Sequence, residues 1–214
     1  MKRILTLALA ALMVFALAAC GDAQSAATPT PAATPDATQN VTEAATATEA
    51  PETAGESSIL IAYFSWSGNT EAVAGMIQSE VGGDLFEIAP AEAYTEDYDT
   101  LLDIARDEQS SGARPALSNT VDNWEDYDAV FVGFPNWWSD APMAVYTFLE
   151  SYDWTGKTLV PFNTSSSGGF GRSLDGVAES ASGANILEGF TVRSSALDGA
   201  QADVSAWLAG LNLG

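Results

Sequence analysis

A chain of 214 residues with 29 Asp and Glu against 7 Lys and Arg carries a formal charge of −22, which argues against partners such as nucleic acid or an anionic lipid surface. It has no histidine and a single cysteine, so zinc sites, cysteine proteases and His-assisted serine hydrolases are excluded or nearly so, and no intramolecular disulfide can form. Redox or group-transfer chemistry in such a chain falls to a bound cofactor.

Lys2 and Arg3 precede an apolar run over residues 4–17, a basic n-region and an h-region too short for a comfortable membrane span. The run ends Leu17-Ala18-Ala19-Cys20-Gly21, which resembles the lipobox of bacterial lipoproteins. That resemblance implies a signal peptide over residues 1–19, diacylation of Cys20 and a protein lipid-anchored outside the cytoplasm. The alternative is an ordinary secretory signal with an incidental cysteine. Residues 21–57 are mostly Ala, Thr, Pro and Glu, with no aromatic and only Val41 as a branched aliphatic. Such a segment buries too little apolar surface to offset ordering its backbone, so residues 20–57 are expected to be a lipidated, disordered tether. One folded domain is expected over residues 58–214.

Within it, residues 59–64 form an apolar run expected as the first strand. The run stops at Ser65-Trp66-Ser67-Gly68-Asn69-Thr70, and a helical pattern follows with Val73, Met76, Ile77 and Val81 on one face. A strand, a hydroxyl-rich turn and a helix N-terminus aim N–H groups and a dipole at one point, a phosphate site that needs no lysine or arginine. The plainer reading is a turn in which Asn69 or Thr70 caps the helix. Residues 84–90 read as a second strand, and Tyr98, Leu101, Leu102 and Ala105 as the inward stripe of a second helix. Residues 129–134 are a doubly buried strand. Asp140 or Ala141 is expected to open a helix with Pro142 in its first turn and Val145, Phe148, Leu149 and Tyr152 inward. Lys157 reads as a solvated turn lysine before a fourth strand, residues 158–162, in which Pro161 cannot donate to a ladder. A helix over residues 172–181 has Leu174, Val177, Ala178 and Ala181 on one face. Residues 186–193 are a fifth strand, and Val204, Trp207, Leu208 and Leu211 mark a last helix. Five strands alternating with five helices call for an α/β fold, a three-layer sandwich around a five-stranded parallel sheet.

Ligands of such sheets bind beyond the carboxyl ends of the strands. Three loops leave those ends: residues 65–70, then Pro135-Asn136-Trp137-Trp138-Ser139-Asp140, then Asn163-Thr164-Ser165-Ser166-Ser167-Gly168-Gly169-Phe170-Gly171. Singly, the tryptophans could be core packing or a partner patch, and the third loop a plain connection. Together, phosphate donors, flat aromatic surface and a Gly/Ser loop suit a planar ring with a phosphate tail. Adjacent tryptophans cannot point the same way, so one is expected on the ring and the other in the core or at the rim.

On these three loops, with Gly133 and Phe134 preceding the second, residues 58–214 resemble the flavodoxin family. The resemblance implies a sheet of order 2-1-3-4-5 that holds FMN noncovalently. Carried over by position, Ser65, Ser67, Asn69 and Thr70 would hold the phosphate with the amides of Trp66 and Gly68. Pro135, Asn136, Trp137 and Trp138 would hold the ring, together with Thr164, Ser165, Ser166, Ser167, Gly168 and Gly169. This chain departs from the family pattern in using serine where threonine is frequent in the phosphate loop, and in lacking a second-loop tyrosine. The implied function is FMN-dependent redox chemistry, carrying electrons or reducing a small acceptor such as a quinone, with a redox protein or quinone-like molecule as partner. The acidic surroundings imply a low flavin potential. The alternative, from another class, is a non-enzymatic binding module on the same scaffold. A phospho-receiver of similar topology is excluded, because the first and third strands end Phe64-Ser65 and Phe134-Pro135 instead of in carboxylates.

Overall fold

The computed structural model describes residues 58–213. The expected signal peptide, the lipidation of Cys20 and the tether lie outside the described residues. The elements run β1 (Ile59–Tyr63), α1 (Asn69–Val81), β2 (Asp84–Glu87), α2 (Tyr98–Ser111), β3 (Ala129–Pro135), α3 (Met143–Glu150), β4 (Thr158–Ser165), α4 (Ser173–Ser180), β5 (Asn185–Ile186), β6 (Phe190–Arg193) and α5 (Gln201–Leu208). Every pairing between these strands is parallel, in the order β2-β1-β3-β4-β5, with β6 also on β4. The expected 2-1-3-4-5 sheet is present.

Alternation along the strands divides the core in two. Ile61, Tyr63, Phe131, Val160 and Phe162 face Val73 and Ile77 of α1 and Val204 and Leu208 of α5. Leu60, Ala62, Val130, Val132, Phe134 and Leu159 face Val145, Phe148 and Leu149 of α3 and Val177 of α4. All six residues from Ala129 to Phe134 are fully buried, as a central strand covered on both faces requires. Among the described residues no helix is long and apolar enough to cross a membrane.

The fifth strand departs from its expected continuity. Leu159 pairs with Ile186 and Phe162 with Phe190, so three steps along β4 correspond to four along its neighbour. The extra residue is a bulge opposite Pro161. The Leu159 carbonyl accepts from Leu187 N–H, so Pro161, two residues on, faces the same edge without an N–H to offer.

Helix α3 begins at Met143 with Pro142 at its N-cap, not at Asp140 or Ala141. Asp140 instead closes a tight turn, exchanging backbone hydrogen bonds with Trp137 at 2.8 and 3.0 Å. Tyr152 lies past the end of α3, stacked on Trp124 with ring centroids 4.3 Å apart. In α4, Leu174 and Ala178 face solvent, while Ser173, Val177 and Ala181 point inward. The helix is turned to bring Gly176 against α3, where a Cβ would stand 2.5 Å from the Tyr146 hydroxyl. Helix α5 ends at Leu208, so Leu211 packs from the turn beyond it. Lys157 is buried, not solvated: its Nζ donates to the carbonyls of Tyr127 at 2.6 Å and Trp124 at 3.0 Å.

Candidate functional site

The first loop leaves β1 at the carboxyl edge of the sheet. Ser65 Oγ is buried there without a hydrogen-bond partner among the described residues. Gly68 takes φ 81° at the N-cap of α1, and no side chain caps the helix. Asn69 Nδ2 donates to Ser67 Oγ at 3.1 Å, and Thr70 Oγ1 pairs with Thr164 Oγ1 at 2.9 Å. Neither residue caps the helix, contrary to the plainer reading of this turn. The first-turn N–H groups sit at the positive end of α1, in the same loop as the orphaned Ser65 hydroxyl, a donor set that suits a phosphate. The Thr70–Thr164 bond also ties this loop to the end of β4.

In the second loop, the Asn136 backbone N–H donates to Thr164 O at 2.8 Å and its Nδ2 to Gly169 O at 2.9 Å, joining the second loop to the third. The two tryptophans differ in setting, though both line one cleft. Trp137 is half-buried and meets Phe64 and Tyr94 edge-on at 5.4 and 5.2 Å. Trp138 is 44% exposed and donates its indole N–H to Leu102 O at 2.9 Å. The Arg106 guanidinium covers the Trp138 ring at 4.6 Å. In the third loop, Ser165 Oγ accepts from Gly168 N–H at 2.6 Å, and Gly169 N–H donates to Thr191 Oγ1 at 2.8 Å. Thr191 Oγ1 in turn donates to Asn163 Oδ1, while Asn163 Nδ2 is buried and unpartnered among the described residues.

These loops enclose a cleft of about 310 Å³, inside the usual range of about 300–1,000 Å³ for small-molecule sites. Trp66, Asn136, Trp137, Trp138, Ser165, Ser166 and Ser167 line it. Ser65 lines a neighbouring cavity with Pro90, Ala93 and Tyr94 instead, and Ser67, Gly68, Asn69 and Thr70 form the mouth of α1 and do not line the cleft. Nor do Pro135, Thr164, Gly168 and Gly169, which shape the loops from behind. The opposite wall is α2, through Tyr98, Leu101, Leu102 and Ala105. Sequence reasoning placed these four as an inward stripe and missed their role as a wall. Tyr98 is 60% exposed, its ring 6.1 Å from that of Trp66, so an aromatic absent from the second loop is supplied by α2. Its position in the first turn of a helix, after a polar segment, was the available signal.

The electrostatics are acidic, with Arg106 at the rim, itself 3.0 Å from Asp103, and the Arg193 side chain against Gly168 of the third loop. Behind Trp137, the Tyr94 hydroxyl donates to Glu108 at 2.7 Å. Burial pushes the Glu108 carboxyl above its ordinary value, against the lowering effect of that bond, and burial with the nearby carboxylate raises the Tyr94 phenol. Among the described residues, no group of three or more His, Cys, Asp or Glu could hold a metal ion. Anion donors, aromatic walls and a loop rich in hydroxyls and amides fit a phosphate joined to a planar ring.

A family model described as flavodoxin matches residues 58–210. Crystal structures similar to this chain include a candidate flavoprotein from Bacteroides uniformis ATCC 8492, at 32% identity and a TM-score of 0.64, covering 72% of this chain and 98% of that one. Another, from Bacteroides eggerthii DSM 20697, has 37% identity and a TM-score of 0.59, covering 70% and 98%. A flavoprotein in complex with FMN from Lactobacillus acidophilus NCFM has 26% identity and a TM-score of 0.55, covering 66% and 97%. A search of curated proteins gives no match.

Proposed function

Because this chain belongs to the flavodoxin family, we propose that it is an FMN-dependent redox protein that carries electrons or reduces a small acceptor such as a quinone. The carrying observation is the orphaned Ser65 hydroxyl in the loop that leads to the uncapped N-terminus of α1. A buried hydroxyl without a partner is costly, and a phosphate oxygen would satisfy it. FMN supplies reversible uptake and release of one or two electrons. The chain does the rest. Ser65, Ser67 and the first-turn amides of α1 hold the phosphate. Trp138 and Tyr98 offer flat faces, and residues 165–167 with Asn136 offer donors and acceptors to the ring edge. Trp66 and α2 keep water from one side of the cleft. The lipobox-like Leu17-Ala18-Ala19-Cys20 supports tethering outside the cytoplasmic membrane through the lipidated cysteine.

Titration of the purified protein with FMN, followed by flavin absorbance and tryptophan quenching, tests the reading. Saturable binding in the micromolar range or tighter is expected. Ser65→Ala should weaken FMN by about tenfold and leave riboflavin, which lacks the phosphate, unaffected. No binding would leave a binding module for another ligand. For the tether, Cys20→Ser should move the protein from the membrane fraction to the soluble fraction of its native cell type. An unchanged distribution would remove the lipid from the account.

A further inference from the structure

The second and third loops are joined by more than packing. Arg172, just past the third loop, donates its backbone N–H to Ser139 O at 2.8 Å and its Nε to Asp140 Oδ2 at 2.7 Å. Its Nη2 reaches Gln109 Oε1 of α2 at 3.3 Å, and Gln109 Nε2 donates to Trp137 O at 2.6 Å. The other oxygen of Asp140 accepts from the Tyr146 hydroxyl of α3 and from Ala141 N–H at 2.8 Å. At Gly171, φ is 63° and a Cβ would stand 2.3 Å from Ser139 O, so only glycine lets the two loops approach this closely.

These bonds bracket the least comfortable backbone in the domain. Trp138 and Ser139 are consecutive non-glycine residues at φ 51° and 62°. Such residues persist only where their surroundings over-determine them. Gln109 grips the carbonyl before the pair, the Arg172 N–H grips the carbonyl of Ser139, and the Arg172 guanidinium grips Asp140. An isolated ion pair with an arginine 63% exposed would contribute little. Here the Asp140 side chain is only 14% exposed and already held by Tyr146, while Arg172 is fixed at its main chain. Neither partner gives up much freedom to pair.

We propose that Asp140 and Arg172 are positioning residues which, with Gln109, latch the second loop to the third and to α2 and hold Trp137 and Trp138 at the width a flavin ring requires. This rests on the FMN reading above, and the latch can be tested without ligand. Amide exchange is compared in the full chain as wild type and Arg172→Met, and each is titrated with FMN and with riboflavin. Exchange at the hydrogen-bonded amides of Trp137, Asp140, Gly168, Gly169 and Arg172 should accelerate about tenfold, with β1 and β3 unchanged. FMN and riboflavin should weaken by the same factor, about tenfold, because the phosphate end is untouched. Arg172→Lys, which keeps a cation for Asp140 but loses the fork to Gln109, should fall between. Gly171→Ala should give the same local response by steric spreading. Unchanged local exchange overturns the latch, and so does acceleration spread evenly into β1 and β3, the mark of lost global stability. Faster exchange with unchanged affinities overturns the positioning role. A wild type that binds neither flavin, yet shows the local exchange response to Arg172→Met, keeps the latch and removes the FMN reading.

Discussion

Lys157 carries the sharpest contrast between local sequence and folded environment. In Asp153-Trp154-Thr155-Gly156-Lys157-Thr158 it has every sign of a solvated turn lysine. Its partners are 30 and 33 residues upstream, the carbonyls of Tyr127 and Trp124, with the Trp124 ring 5.2 Å from the ammonium. No local pattern encodes a partner at that separation. Ser65 and Thr70 could be singled out from the sequence because the phosphate role expected of them depends on the turn they belong to. Lys157 is a clasp closing the short turn at Trp124–Asp126, which leads into β3. Lys157→Met keeps the aliphatic packing, leaves the Tyr127 carbonyl without a donor and the Trp124 carbonyl with only the Tyr127 N–H, at a cost of about 1–3 kcal/mol. Urea unfolding should show a lower midpoint at unchanged slope. Flavin affinity should not change, because Lys157 precedes β4, at the end of the sheet away from the cleft. An unchanged midpoint would mean that water replaces the ammonium at no net loss.

At the scale of elements, order and direction were legible because a doubly buried parallel strand and an amphipathic helix each have a distinct period. Rotation and continuity were not. The face of α4 is chosen by Gly176 against Tyr146, and the fifth strand is broken by a proline on the neighbouring strand, both properties of pairs distant in sequence. Helix α2 reads as a core helix and also serves as the cleft wall, an arrangement that depends on its start. Asp97 caps it, accepting from Thr100 N–H at 2.9 Å and Thr100 Oγ1 at 2.6 Å. Those two bonds, the hydroxyl first, hold the Asp97 carboxyl below its ordinary 3.8. A lowered carboxylate stabilises the folded state above the ordinary value and loses that contribution as pH falls through the lowered one. The first turn of α2, which carries Tyr98 beside Trp66, should therefore loosen in acid. In NMR spectra the Thr100 amide should titrate with a midpoint under 3.8. Asp97→Asn should abolish that titration and keep the cap, since asparagine caps about as well. A Thr100 amide indifferent to pH across this range would detach Asp97 from the start of the helix.

The whole molecule adds a field that no single residue supplies. The 29 carboxylates against 7 basic side chains leave −22, and of the basic groups Arg106, Arg114 and Arg172 are already paired with carboxylates, Lys157 is buried, and Arg193 lies against Gly168 of the third loop. Adding an electron to a ring in the cleft therefore means adding negative charge to an already negative body. Each carboxylate is weak through water, but the contributions share a sign and outnumber the cations near the loops, Arg106 beside Asp103 and Arg193 against Gly168. The bound FMN should accordingly have a midpoint below that of the free cofactor. If long-range charge is the cause, salt should weaken the effect. Between about 0.01 M and about 1 M salt the Debye length falls from about 30 Å to about 3 Å, so the midpoint should climb toward the free value. A midpoint that is low but indifferent to salt would place the cause in contacts at the ring, through residues 136–138 and 165–169. A midpoint above that of free FMN would overturn the electrostatic account, because a field of this sign can only oppose reduction to a more negative flavin.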